Sequence, residues 1–176
     1  MIDTQRFATE NLNELKLDSP TRKRLEFTLL PGYAGFLLEN KVDELAVLQI
    51  NLFRELRPPL FRYFVNKADE ELIALGKEGM HKLLCALTDQ KSVEYIENSL
   101  RDWLNNQLPQ ISRNQIEAED ITVISLIRRQ IFRKFIAEYT ADLQTALQVM
   151  SEIDDFTTIS ETISLKLLLK LQQDLY

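Results

Sequence analysis

Glycine and proline are scarce in this chain, four and five residues in 176, and every one of them lies before residue 110. Residues 110–176 therefore hold nothing that breaks a helix. A single cysteine, Cys85, excludes an internal disulfide and fits a reducing cytoplasm. A single histidine, His81, leaves Glu78-x-x-His81 without the second motif that a carboxylate-bridged di-metal bundle needs, so no metal is expected. The opening Met1-Ile2-Asp3-Thr4-Gln5-Arg6 is polar and lacks the apolar stretch of a signal peptide. No apolar run approaches the length of a membrane span, so no membrane partner is expected. A net charge of −6 gives no cationic surface for nucleic acid.

What remains is 45% hydrophobic content with balanced charges. That composition fits one globular domain, which at this length buries roughly 70% of its unfolded surface. No segment alternates with a two-residue period, so the expectation is all-α: a bundle of about seven helices. The spacing predicts an amphipathic helix over residues 4–15. Ser19-Pro20 reads as a cap followed by proline in the first turn, opening a second short helix that stops at Pro31-Gly32. A longer helix runs from Tyr33 to Pro58-Pro59, another carries Phe64 and Leu72 to Leu87, and another spans residues 90–106. Ser112 with Gln115 makes a capping box.

Two long antiparallel helices, residues 119–140 and 141–176, are expected to close the chain with a turn near 140–144. On the first, Ile121, Ile124, Ile127, Ile131, Phe132, Phe135, Ile136 and Tyr139 share a face, with Val123 and Leu126 opposite. On the second, Val149, Ile153, Phe156, Ile163, Leu167, Leu171 and Leu175 form a stripe, with Leu147, Leu165 and Leu169 off it. A surface helix needs one apolar stripe, so the surplus predicts contact with a second copy of the chain or with a following domain, the second copy being favoured. The candidate homodimer interface is Phe156, Ile163, Leu167, Leu171 and Leu175.

Polar residues interrupt both stripes. Arg128 sits amid Ile124, Phe132 and Phe135, beside Ser125, and a guanidinium there must be paired or reach water. One reading is an ion pair with Asp154, Asp155 or Glu161, or a side chain snorkelling to a rim; the other is an anion-binding group in a pocket lined by Arg128, Ser125 and Ser160. Thr157, Ser160 and Ser164 have the size that lets helices approach closely. Gly76-Lys77-Glu78-Gly79, inside a helical pattern, marks a close crossing or a bend. Cys85 lies one turn from His81, but its apolar company reads as core, and no acid–base–nucleophile set assembles, so no enzyme is expected.

Three segments together carry a family likeness. Phe36-Leu37-Leu38-Glu39-Asn40 opens a long helix, and Asp120 precedes Arg128-Arg129, Phe132, Phe135 and Tyr139. Glu152-Ile153-Asp154-Asp155-Phe156 then leads into a leucine-rich terminal helix. Over residues 33–176 the pattern resembles the N-terminal non-haem globin sensor domain of bacterial stressosome regulators, related to globin-coupled sensors, with residues 1–32 as a helical extension. The resemblance implies a globin-like sensor of signal-transduction and stress-response systems that dimerises through its last two helices. It also implies a terminal helix that addresses a regulatory protein partner or a C-terminal output domain. Haem-binding relatives take a proximal histidine from the segment before the penultimate helix; residues 104–120 have none, so no cofactor is implied. The alternative from the residues themselves is a helical bundle that holds a small anionic or lipid-like molecule.

Overall fold

The computed structural model describes residues 15–173. Among them the chain is all-α, with no strand. The helices are α1 (Ser19–Arg24), α2 (Leu30–Asn40), α3 (Val42–Leu56), α4 (Asp69–Thr88), α5 (Ser92–Leu104), α6 (Ala118–Arg133), the single turn α7 (Ile136–Tyr139) and α8 (Leu143–Gln173). Short 3-10 turns cover Pro59–Tyr63 and Arg113–Gln115. The helix expected over residues 4–15 and the interface residue Leu175 lie outside the described residues.

Local chemistry explains most of the boundaries. Asp18, not Ser19, caps α1, its carboxylate accepting the Thr21 N–H at 2.8 Å. Asp69, Glu70 and Glu71 fill the first turn of α4, where the helix dipole favours negative charge. The Ser112–Gln115 capping box forms as expected, and a second, Glu117 with Asp120, opens α6. Asp142 opens α8 by accepting from both the N–H and the hydroxyl of Thr145. Left-handed positions, where glycine is the usual occupant, fall instead to Arg57, Gln90, Asn106 and Gln110. All four glycines sit inside α2 and α4.

Three expectations are corrected. Pro31 does not end a helix: it stands in the first turn of α2, where a missing N–H costs nothing, so the boundary drawn between residues 32 and 33 falls within a helix. The helix expected from Tyr33 to Pro58 is two, divided at Lys41, whose backbone (φ −131°, ψ 5°) leaves the helical region. Asn40 contributes by turning its side-chain amide back to the Phe36 carbonyl oxygen at 2.9 Å. The first of the two terminal rods ends at Arg133 and not at Thr140.

The core joins Tyr33 and Leu37 of α2 to Leu84 and Leu87 of α4, Ile127 and Phe132 of α6, and Val149, Ile153 and Phe156 of α8. α4 packs on both α2 and α3, and α6 packs along α8. The α6–α8 pair is antiparallel, since Ser125 and Arg129 reach Thr157 while Arg133 reaches Asp154. Ser125 donates to the Thr157 carbonyl oxygen at 3.4 Å, a contact that only small side chains at both positions permit. No helix among the described residues is long and apolar enough to cross a membrane.

Candidate functional site

The bundle packs in pairs, and one pairing is missing. α3 lies on α4 and on α6, and α4 touches α5, but α5 and α6 form no packed pair. The gap between them opens into a cavity of about 740 Å³, inside the ~300–1,000 Å³ range of small-molecule sites. Its apolar end is aromatic. Phe53 of α3 stands edge-on to Phe61 at 5.8 Å and to Phe64 at 6.5 Å, with Leu72 and Leu75 of α4 alongside. The α5 side is polar because Glu94, Asn98 and Asp102 recur every four residues and share one face.

Ile124, Ile127 and Arg128 supply the α6 wall. Arg128 is half-buried, and among the described residues no hydrogen bond or ion pair reaches its guanidinium. The ion pair with Asp154, Asp155 or Glu161 does not form. Asp154 is already engaged: Arg133 donates to both its oxygens at 2.5 and 2.6 Å, and the Arg129 Nε lies 3.3 Å away. Asp155 faces Arg24 at 4.0 Å. Consecutive arginines therefore serve different faces of α6, Arg129 toward α8 and Arg128 on the cavity lining.

Two further features belong to this space. Gln49 of α3 lines it, and its Oε1 is buried without a partner, a state that costs roughly 1–3 kcal/mol unless something supplies the hydrogen bond. Gly76 and Gly79 of α4 line it as well. A Cβ at Gly76 would stand 3.6 Å from that Gln49 oxygen and 3.8 Å from the Ala46 Cβ, so Gly76 does mark a close helix crossing. A Cβ at Gly79 would meet nothing within 4 Å. Of the remaining charges on the lining, Glu78 pairs with Lys82 at 3.2 Å, and Lys91, Glu94 and Asp102 stand at the exposed rim.

The other expected pocket residues lie elsewhere. Ser125 is buried in the α6–α8 seam, and the Ser160 hydroxyl is buried on α8 with no partner; neither lines the cavity with Arg128. Phe156 is corrected as an interface residue, being 1% exposed and packed on Phe27 and Tyr95 of its own chain. Ile163, Leu167 and Leu171 are half-buried and packed against the core. The large apolar side chains of α6 and α8 left outside are Leu126 at 37%, Leu143 at 70%, Leu147 at 55% and Leu169 at 58% exposed, whereas the off-stripe Val123 and Leu165 pack against the core. His81 approaches Cys85 at 3.6 Å on the exposed side of α4. No group of three or more metal-ligating side chains assembles among the described residues.

The periodicity did not reveal three buried carboxylates that fasten the walls. Glu152 of α8 accepts the N–H groups of Thr28, Leu29 and Leu30 at 2.6–3.3 Å, closing the start of α2 from across the molecule. Glu97 of α5 takes Arg22 at 2.6 Å and the Leu17 N–H at 3.2 Å, which ties residues 17–22 to the bundle. Asp120 takes the Leu60 N–H at 2.7 Å and that of Glu117 at 2.8 Å, pinning the 3-10 turn of the cavity wall to α6. An acidic residue beside apolar ones, as at Glu152-Ile153, is the only trace of this in the sequence.

No family model matches the chain, and neither the curated proteins nor the solved structures contain a match to it. The likeness to stressosome sensors thus rests only on the residues quoted for it.

Proposed function

We propose that this chain is a non-catalytic, ligand-binding helical domain with a regulatory role, holding a small molecule between α3, α4, α5 and α6. The observation that carries it is Arg128. A guanidinium set half-buried beside Ile124 and Ile127, on the wall of a cavity that also holds Phe53, Phe61 and Phe64 and with no protein partner, is a group awaiting an anion. The cavity has the size and the mix of an apolar body with a few polar groups that small-molecule sites share. Native mass spectrometry of the gently purified protein tests this. The expected result is retained ligand mass, lost on Arg128→Ala. A bare chain that also binds no member of an amphiphile panel would end the ligand reading.

The exposed Leu126, Leu147 and Leu169 favour a second layer to the same function. A sensor of the stressosome type would dimerise over α6 and α8 and pass its state along α8 to a regulatory protein or an output domain. Ligand binding would bias that relay only by its differential affinity for the two arrangements. Leu169→Glu is the clean test, because that side chain is mostly outside the fold. A dimer in sedimentation that becomes monomeric in the variant supports the relay; a parent protein already monomeric at high concentration removes it.

A further inference from the structure

Given the ligand-binding reading above, on which this rests, we propose that the cavity selects an amphipathic carboxylate. The anionic head pairs with Arg128, and the apolar body lies across α4 at Gly79 toward the rings of Phe53, Phe61 and Phe64. Gly79 carries the second half of the assignment. A glycine inside a helix costs about 1 kcal/mol relative to alanine, and such residues are usually explained by a close neighbour. Gly76 has that explanation in Ala46 and Gln49; Gly79 has none, because its Cβ would point into open space on the cavity wall. Gly79 stands on the exposed side of the lining, and the open space beside it is what a ligand body needs.

The head-group chemistry follows from which charges are solvated. Glu94 and Asp102 are exposed at the rim, so water satisfies them, whereas Arg128 is half-buried on an apolar wall. A carboxylate presents two oxygens to the planar guanidinium fork, the geometry in which arginine binds most strongly.

Three probes with one tail and different heads decide the matter: dodecanoate, 1-dodecanol and dodecyltrimethylammonium, each titrated below micelle formation by calorimetry. Dodecanoate is expected to bind at least tenfold more tightly than the other two, and Arg128→Met to erase that preference. Gly79→Phe should abolish dodecanoate binding, while Gly79→Ala, which adds one methyl group, preserves it. Helix content and melting temperature of both Gly79 variants at or above the parent's would show that the fold is intact. Equal binding of all three probes would overturn the carboxylate assignment and leave a ligand-binding cavity. Dodecanoate binding that survives Gly79→Phe would overturn the placement over α4. Failure of all three probes would take the ligand-binding reading down with it.

Discussion

The Tyr33 hydroxyl donates to the carbonyl oxygen of Phe132, a bond that spans the core from α2 to the end of α6. In an uninterrupted helix that carbonyl would accept from the N–H of Ile136. Here it accepts from the tyrosine side chain at the place where α6 stops, at Arg133, with no glycine or proline present. Phe135 and Ile136 are then both free to turn inward, at 3% and 5% exposure, which a continuous helix in this register would not allow as readily.

Tyr33→Phe should therefore cost about 1–2 kcal/mol, the penalty for leaving a buried carbonyl unpaired. The same residue makes a pH signature. Tyr33 is wholly buried, and desolvation pushes its phenol well above the ordinary 10.0. The native state therefore keeps a proton that the unfolded chain releases above pH 10, so this contribution is intact below pH 10 and is lost as the pH rises beyond it. By pH 11 it amounts to roughly 1.4 kcal/mol. Chemical denaturation at pH 9 and pH 11 should show a smaller alkaline loss in Tyr33→Phe than in the parent. An equal loss in both would mean that other groups govern the alkaline limb.

Glu152 is the single acceptor for three consecutive N–H groups at the start of α2. Alanine there would leave them facing the α8 surface, and because only the Leu30 bond is fully buried the loss should be about 1–3 kcal/mol. Glutamine keeps one oxygen and should cost about half as much. Hydrogen exchange at Leu29 and Leu30 reports the effect locally; protection unchanged in Glu152→Ala would show that solvent already serves these amides.

These two contacts mark where the sequence could be read and where it could not. The all-α class, the Ser112–Gln115 box and the antiparallel pairing of α6 with α8 follow from apolar spacing and from signals within a few residues of each other. The breaks at Lys41 and Arg133 do not, and the second coincides with a bond from Tyr33, far away in the chain. Arg128 stands out as a polar group on an apolar stripe, yet its companions in the cavity are not the ones that periodicity suggests. Ser125 and Ser160 share its helix or the next, whereas Gln49 and Gly79 reach the cavity from α3 and α4. Periodicity within one helix names the face a residue occupies and cannot name the helix opposite.

Glycine is misplaced for stability here, and exchanging positions should reveal it. Gln90 holds a left-handed backbone (φ 58°) just after α4, while Gly79 spends its freedom inside the helix. Gln90→Gly removes the strain of a side chain in that conformation, worth up to about 1 kcal/mol. Gly79→Ala adds a similar amount through helix propensity, with no atom in its way. The two changes are far enough apart in character to add, and the double variant should gain about 1–2 kcal/mol in urea unfolding. A loss in Gly79→Ala would show that the cavity wall closes in solution.

Arg128 and Arg129 are adjacent, and replacing each by methionine should have opposite consequences. Arg129 lies 3.3 Å from Asp154 and donates to Thr157 at 3.1 Å. Asp154 is 41% exposed, so solvent screening limits the loss on Arg129→Met to about 1 kcal/mol or less. Arg128 has no such partner, so Arg128→Met removes a half-desolvated charge from an apolar wall and fills the same volume with carbon. The unliganded variant should be as stable as the parent or more so. Only with an anionic amphiphile present should the order reverse, because the parent alone gains stability from binding. Melting temperatures with and without dodecanoate separate the cases. A clear destabilisation of the unliganded Arg128→Met protein would mean that the guanidinium already has a partner in solution, and that its charge serves the fold and not a ligand.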